Sequence, residues 1–564
     1  MYQVQKSPFP LRVLTLALSL AVPLAHAAGY DIGDAVKGTL APPTPEPRQP
    51  KAPAPVIIQQ QEAPLALPGG ETLFVRAFRV EGPEPLPAEL EATLAPYRNR
   101  ALSMAEIDEA ASRITLLYRA QGLLVAHAYV PKQDASDGTL LIRVVPGHYG
   151  RFTLNNASRV GDAQLQKAFD RLAQSGEAVH RDDLERAMLL VSDLPGAGLP
   201  LLSISPGQAP GSSDFLVDTP AEAAINGYAM ADNYGSRFTG KDRLSAGLDF
   251  NSPLGLGDKL SLAAMTTKGA GLQNGRLAYS APLGSDGLRA ELAATRTTYS
   301  LGEEYADLDA TGTANIYEAT FSYPLKRTRE DSLYLSLNLA SKHLRDDIEV
   351  LDSSVAKRDD VATLALRNER FGTLFGLPLY TRLEGSLSHG RLRFDDAEQR
   401  AFDRAGADTQ DAFSKLNLSA VGNLAFDAHW SLTARLGVQE SLGKNLDGVE
   451  QFSASGTSGI KAYPDGVTGD NGYLAGLELK YALAPIAGLA QSVGLFTDYG
   501  RVSPENEPDI GTDPIAISDI GLGYYLSYGI AFAGVQVART LGNHDATEDY
   551  NDDTRVLAQV GVQF

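Results

Sequence analysis

The sequence predicts a transmembrane β-barrel of sixteen antiparallel strands preceded by two small α+β domains. Three observations predict it. Apolar and polar side chains alternate with a two-residue period from residue 220 to the end; short turns on one side of the strands oppose long polar loops on the other; and an N-terminal export signal accompanies a chain that ends on an aromatic residue.

In residues 1–28, Lys6 and Arg12 precede the apolar run 13–25, and Ala25-His26-Ala27 supplies a small-x-small cleavage site, so the segment reads as a secretory signal peptide. No later apolar run reaches the length a helix needs to cross a bilayer, which leaves strands as the means of crossing. The chain has no cysteine, so neither disulfides nor thiolate metal sites contribute. The net charge of −20 is concentrated in residues 220–564 and argues against nucleic-acid binding.

Ile32, Val36 and Leu40 recur at four-residue spacing and predict a small amphipathic helix within 29–40, weakened by Gly33 and Gly38. Residues 41–72 are rich in proline and read as an extended linker. The next unit, 73–149, alternates as a strand over 74–80 and then starts a helix at Ser103, with Glu106 in capping-box position. Met104, Ile107, Ala111, Ile114 and Tyr118 form its apolar face, Gly122 ends it, and 127–133 and 139–145 read as strands. A second unit, 150–219, repeats the order, with Leu165, Phe169 and Leu172 on one helix and Leu184, Met188 and Val191 on the next. Its closing strands fall at 199–205 and 213–217.

Within 220–564, Leu333, Leu335, Leu337 and Leu339 alternate with Ser332, Tyr334, Ser336 and Asn338. Turns near 253–255, 282–284, 326–328, 374–377, 427–428, 485–487 and 528–529 divide the region into eight hairpins. The opposite loops are longer, as at 440–471 and 502–514. On the final strand Val556, Ala558, Val560 and Val562 share a face with Phe564; an aromatic residue closing the last strand is typical of outer-membrane barrels, so Phe564 is expected to act as a barrel-assembly signal.

Two motifs stand out in the sixth hairpin and the strand that follows: Gly459-Ile460-Lys461-Ala462-Tyr463-Pro464, and Phe496-Thr497-Asp498-Tyr499-Gly500. Together with the two repeated domains, with Asp232-Asn233-Tyr234-Gly235 and with Asn251-Ser252-Pro253-Leu254-Gly255, they resemble the two-partner secretion transporters, the TpsB family. That resemblance implies two periplasmic POTRA domains, a pore that exports a secreted partner exoprotein carrying an N-terminal secretion domain, and a location in the outer membrane of a Gram-negative bacterium. It also implies a plug made by the N-terminal helix, and a sixth loop folded into the lumen so that Lys461 and Tyr463 meet Phe496, Asp498 and Gly500. Lys461 stands where the family usually carries arginine, exchanging a planar fork for a compact charge. Outer-membrane lipid and the barrel-assembly machinery are further expected partners, and the transporter is expected to act as a monomer. An insertase that assembles other barrels is the alternative reading.

Capture of the exported chain by strand addition would use the stretches bearing His127 and Tyr129 or Leu199 and Leu201. Ordinary pairing inside each domain reads equally well for both. Ser458 lacks the spacing of a nucleophile elbow, no His-Glu-x-x-His occurs, and no phosphate-binding loop is present, so neither an enzyme nor a metal or cofactor is expected.

Overall fold

A computed structural model describes residues 32–40, 57–59, 72–84, 86–456, 459–464, 466–506, 514–542 and 553–564. The predicted signal peptide at 1–28 and most of the linker at 41–72 lie outside the described residues.

Sixteen strands, from Ile225–Asp232 to Thr554–Gln563, form one closed antiparallel barrel in which each strand pairs with its sequence neighbours and the last pairs with the first. Closure matches Tyr228 with Gln563 and Asp232 with Gln559. Phe564, one residue past the strand, exchanges backbone hydrogen bonds with Gly227 at 2.8 and 2.9 Å. A closed ladder leaves no edge unpaired, the condition for placing strands in hydrocarbon. The period-two pattern then sorts the side chains: Lys357, Asp359 and Val361 point inward and are buried, whereas Leu364, Leu366, Leu387, Leu418 and Leu522 point outward and are exposed.

In the first small domain the capping box forms as predicted. Ser103 Oγ accepts from the Glu106 N–H, and Glu106 Oε2 accepts from the Ser103 N–H at 2.8 Å, starting the helix Met104–Ala120. The strand expected over 74–80 is two, Thr72–Val75 and Ala77–Glu81, because the N–H groups of Arg76 and Ala77 both turn to Gly138 O. The strand expected over 127–133 stops at Tyr129, within His127–Tyr129. Beyond it the Gln133 amide takes the place of a ladder, accepting from Leu141 N at 2.7 Å and donating to Leu141 O at 2.8 Å. His127–Tyr129 remains the edge of the sheet, next to Thr139–Val145.

The second domain packs the helices Asp162–Ser175 and Arg181–Ser192 on a sheet through Leu165, Phe169, Leu184, Met188, Phe152 and Phe215. Its strand order corrects one expectation. Leu201–Pro206 is not an edge, because the linker strand Ile57–Gln59 pairs with it in parallel, Ile57 opposite Leu202 and Gln59 opposite Ile204. Leu199 precedes the strand and Leu201 begins it. A three-residue strand flanked by proline-rich sequence carries too little periodicity to be seen in the linker.

This domain sits on the short-turn end of the barrel. Arg327 forms a forked pair with Asp193 at 2.7 and 2.8 Å, Arg186 donates to Pro324 O at 2.9 Å, and Gly161 N donates to Gly255 O at 2.8 Å. The short turns thereby lie on the side of the small domains and the long loops on the other.

Candidate functional site

The site is built by the loop 442–470 and the inward faces of the strands around it. Strand Trp430–Ser441 delivers the loop, and Gln439 holds both its limbs by donating to Glu450 O and Asp470 O, each at 3.0 Å. Glu450 is buried between Lys342 and Lys415, and Lys357 meets Asp447 at 2.6 Å. The loop then forms a small pair, Phe452–Ser453 against Thr468–Gly469. Its tip is tight because Ile460 N donates to Ala454 O, and a Cβ on Gly459 would lie 2.3 Å from that same oxygen.

Lys461 and Asp498, 37 residues apart in sequence, meet at 2.5 Å, both under 5 % exposed. The ammonium also lies 4.4 Å from the centre of the Phe496 ring. Phe496 in turn covers Gly521, where a Cβ would come within 2.2 Å of the ring. Gly500 makes room for Ile460 and Ala454. Tyr463 is buried among Ile460, Val467 and Phe496, and its carbonyl faces Arg555 Nη1 at 3.4 Å. All five residues singled out in the two motifs therefore belong to one cluster.

Sequence reasoning missed the second carboxylate. Asp519 stands directly opposite Asp498 on the neighbouring strand Ile515–Tyr528, and its Oδ2 accepts from Ala462 N at 2.8 Å. Arg435 approaches Asp498 Oδ1 at 3.8 Å. Two facing carboxylates repel unless cations and N–H groups divide them. Here the lysine serves one, and the loop backbone serves the other. The two carboxylates are thus met by an ammonium and a backbone N–H rather than by one guanidinium fork. The signal that could have found Asp519 is its parity with Ile517 and Gly521, an acid on an inward face.

The helix Ile32–Leu40 lies against the inward faces of the strands Leu272–Pro282, Arg289–Ser300, Ala310–Arg327 and Asp331–Ile348. Ile32, Ala35 and Val36 are buried against Leu272, Tyr299, Ala314, Ile316 and Leu344, and against Val449 of the loop. Ile32 N donates to Asp346 Oδ1 at 3.1 Å, an oxygen that also receives the Tyr299 hydroxyl at 2.8 Å. Asn274 donates to Thr39 Oγ1 at 3.2 Å.

The profile of the haemolysin secretion/activation protein family ShlB/FhaC/HecB matches residues 211–524, and that of the ShlB-type POTRA domain matches residues 73–147. The chain belongs to the ShlB/FhaC/HecB family. These are two-partner secretion transporters of the Gram-negative outer membrane. The haem/haemopexin transporter protein HuxB of Haemophilus influenzae is 24 % identical over 81 % of this chain and 81 % of its own length. The outer membrane transporter CdiB of Escherichia coli is 24 % identical over 81 % of this chain and 77 % of its own. Among solved structures, CdiB from E. coli superposes with a TM-score of 0.70 at 19 % identity, and CdiB from Acinetobacter baumannii with 0.60 at 14 %, each covering all of both chains. At these identities the structures share the fold. The ShlB/FhaC/HecB assignment puts the short turns of this transporter in the periplasm and its long loops at the cell surface.

Proposed function

We propose that this transporter exports one partner polypeptide through its barrel, with the helix Ile32–Leu40 as a plug and the sixth loop as a second closure locked by Lys461 and Asp498. The observation that carries the reading is the helix packed among inward-facing residues, which an exported chain has to displace. Val449 touches that helix while Lys461, further along the same loop, holds the opposite wall. Release of either closure therefore loosens the other.

Capture begins in the periplasm, where no ATP is available, by strand addition to a POTRA sheet. His127–Tyr129 offers an open edge, with His127 and Tyr129 pointing to solvent and Ala128 inward. At Leu201–Pro206 the linker already occupies the edge through Ile57–Gln59, so an incoming strand competes with the segment that tethers the plug. Folding of the exported chain outside the cell then prevents its return.

The test is deletion of this transporter beside its partner gene: surface appearance of the partner should vanish while other barrels remain at normal levels. Unchanged secretion sinks the proposal, and general loss of other barrels points to an insertase. The linker gives a narrower prediction. Ile58→Pro removes a backbone donor from the linker strand, so the full chain should bind its partner's secretion domain more tightly by isothermal titration. Unchanged affinity would remove Leu201–Pro206 from the capture scheme.

A further inference from the structure

On the outside of the barrel, three consecutive strands carry a basic cluster that neither the pore nor the loop uses. Leu337, Leu364, Leu387 and Leu416 lie directly opposite one another on four adjacent strands and form a continuous lipid-facing row. Six residues further toward the cell surface on the first three of these strands, the same faces present His343, Arg358 and Arg393, again directly opposite one another. Six residues span about 20 Å along a strand, or roughly 15 Å of height at the tilt of a membrane barrel. This places the second row at the headgroups of the outer leaflet.

The row breaks a pairing rule. Like charges directly opposite in a sheet are destabilising, yet Arg358 faces Arg393. They share a single acid, Asp360, at 3.0 and 3.6 Å, which Ser341 Oγ also contacts at 2.8 Å. Arg391 stands opposite Asp360 and reaches Asp411 only at 3.5 Å, and Arg345 pairs with Asp347 at 2.9 Å. The four arginine side chains remain 48 to 59 % exposed. His343 and His389 extend the cluster in a chain whose overall charge is strongly negative. Beneath it, Ala362 and Ala412 leave a shallow groove beside Leu339, His389 and Arg391, apolar toward the leucine row and charged above.

We propose that this face binds a phosphorylated glycolipid of the outer leaflet, its phosphate bridging Arg358 and Arg393 and an acyl chain lying over Ala362. The guanidinium fork suits a phosphate; the groove suits an attached hydrocarbon chain; and the leaflet at this height is built from phosphorylated glycolipid. An anion of the membrane supplies the counter-charge that Asp360 alone cannot divide between two arginines.

The experiment is native mass spectrometry of the full chain in detergent, titrated with bis-phosphorylated lipid A. The wild-type protein should retain one lipid, and Arg358→Gln/Arg393→Gln should lower its affinity on the order of tenfold or more, the equivalent of about one charge-assisted contact. Arg296→Gln, an outward arginine that donates to Asn315 elsewhere on the wall, should leave it unchanged. Heat-modifiable electrophoretic mobility separates a misfolded variant from a folded one, and Arg391→Gln is the milder substitute if the double variant fails that check. Equal retention by wild type and variant overturns the proposal. So does equal binding of dephosphorylated lipid A or of phosphatidylglycerol, or displacement of the lipid by millimolar inorganic phosphate, which would mark a simple anion site.

Discussion

Asp498→Ala will abolish secretion while the barrel remains inserted and heat-modifiable. The side chain is buried and accepts the Lys461 ammonium at 2.5 Å. Removing it leaves that buried ammonium without its hydrogen-bonding carboxylate, a loss of about 3 kcal/mol in loop docking, or on the order of a hundredfold in the docked population. Lys461→Ala should be milder, because Asp498 keeps Arg435 at 3.8 Å. The double variant should lose less than the sum of the two, since both single changes break one contact. Secretion of the partner, measured in culture supernatant against barrel abundance in the membrane, checks all three. Full additivity, or a milder effect of Asp498→Ala than of Lys461→Ala, would remove the contact from the mechanism.

Val36→Asp will open the pore. Val36 is 1 % exposed and packs in a cluster with Tyr299, Ala314, Ile316, Leu344 and Val449. The substitution forfeits about 2 kcal/mol of side-chain burial and adds the larger penalty of burying a carboxylate among apolar side chains. A nine-residue helix has no stability of its own to resist this, so it leaves as a unit. Single-channel recording in planar bilayers should show a conductance several times that of the wild type, and cells should become sensitive to bulky antibiotics. Because the loop meets the helix through Val449, the open variant should also show increased protease access to the loop 442–470. An unchanged conductance would mean that the helix is not what closes the lumen.

Much of the barrel was legible because its determinants are local. Alternation in Leu333, Leu335, Leu337 and Leu339 reads directly as one face of a strand, and a two-residue turn such as Phe375-Gly376 fixes the register of everything on either side of it. Within the site, the alternation of Val493, Leu495 and Thr497 with Gly494, Phe496 and Asp498 is enough to put Asp498 on the inward face. It could not reveal Asp519, which becomes a neighbour only once the register of Leu489–Ser503 with Ile515–Tyr528 is set. Nor could it weigh Lys461 against an arginine, since the answer lies in what else approaches the two carboxylates. The POTRA edges divided in the same way: His127–Tyr129 stayed open, while Leu201–Pro206 was covered by a linker strand too short to announce itself.

The sequence by itself determined the class of fold, the strand faces, the capped helix at Ser103 and the two motifs of the sixth loop, because each depends on residues within a few positions of one another. The tertiary structure alone decided which walls those motifs meet, where the helix Ile32–Leu40 rests and which sheet edge the linker takes. Those contacts join residues 37, 57, 145 and 314 positions apart. No periodicity encodes such distances; closing the barrel and docking the domains onto it brings them together.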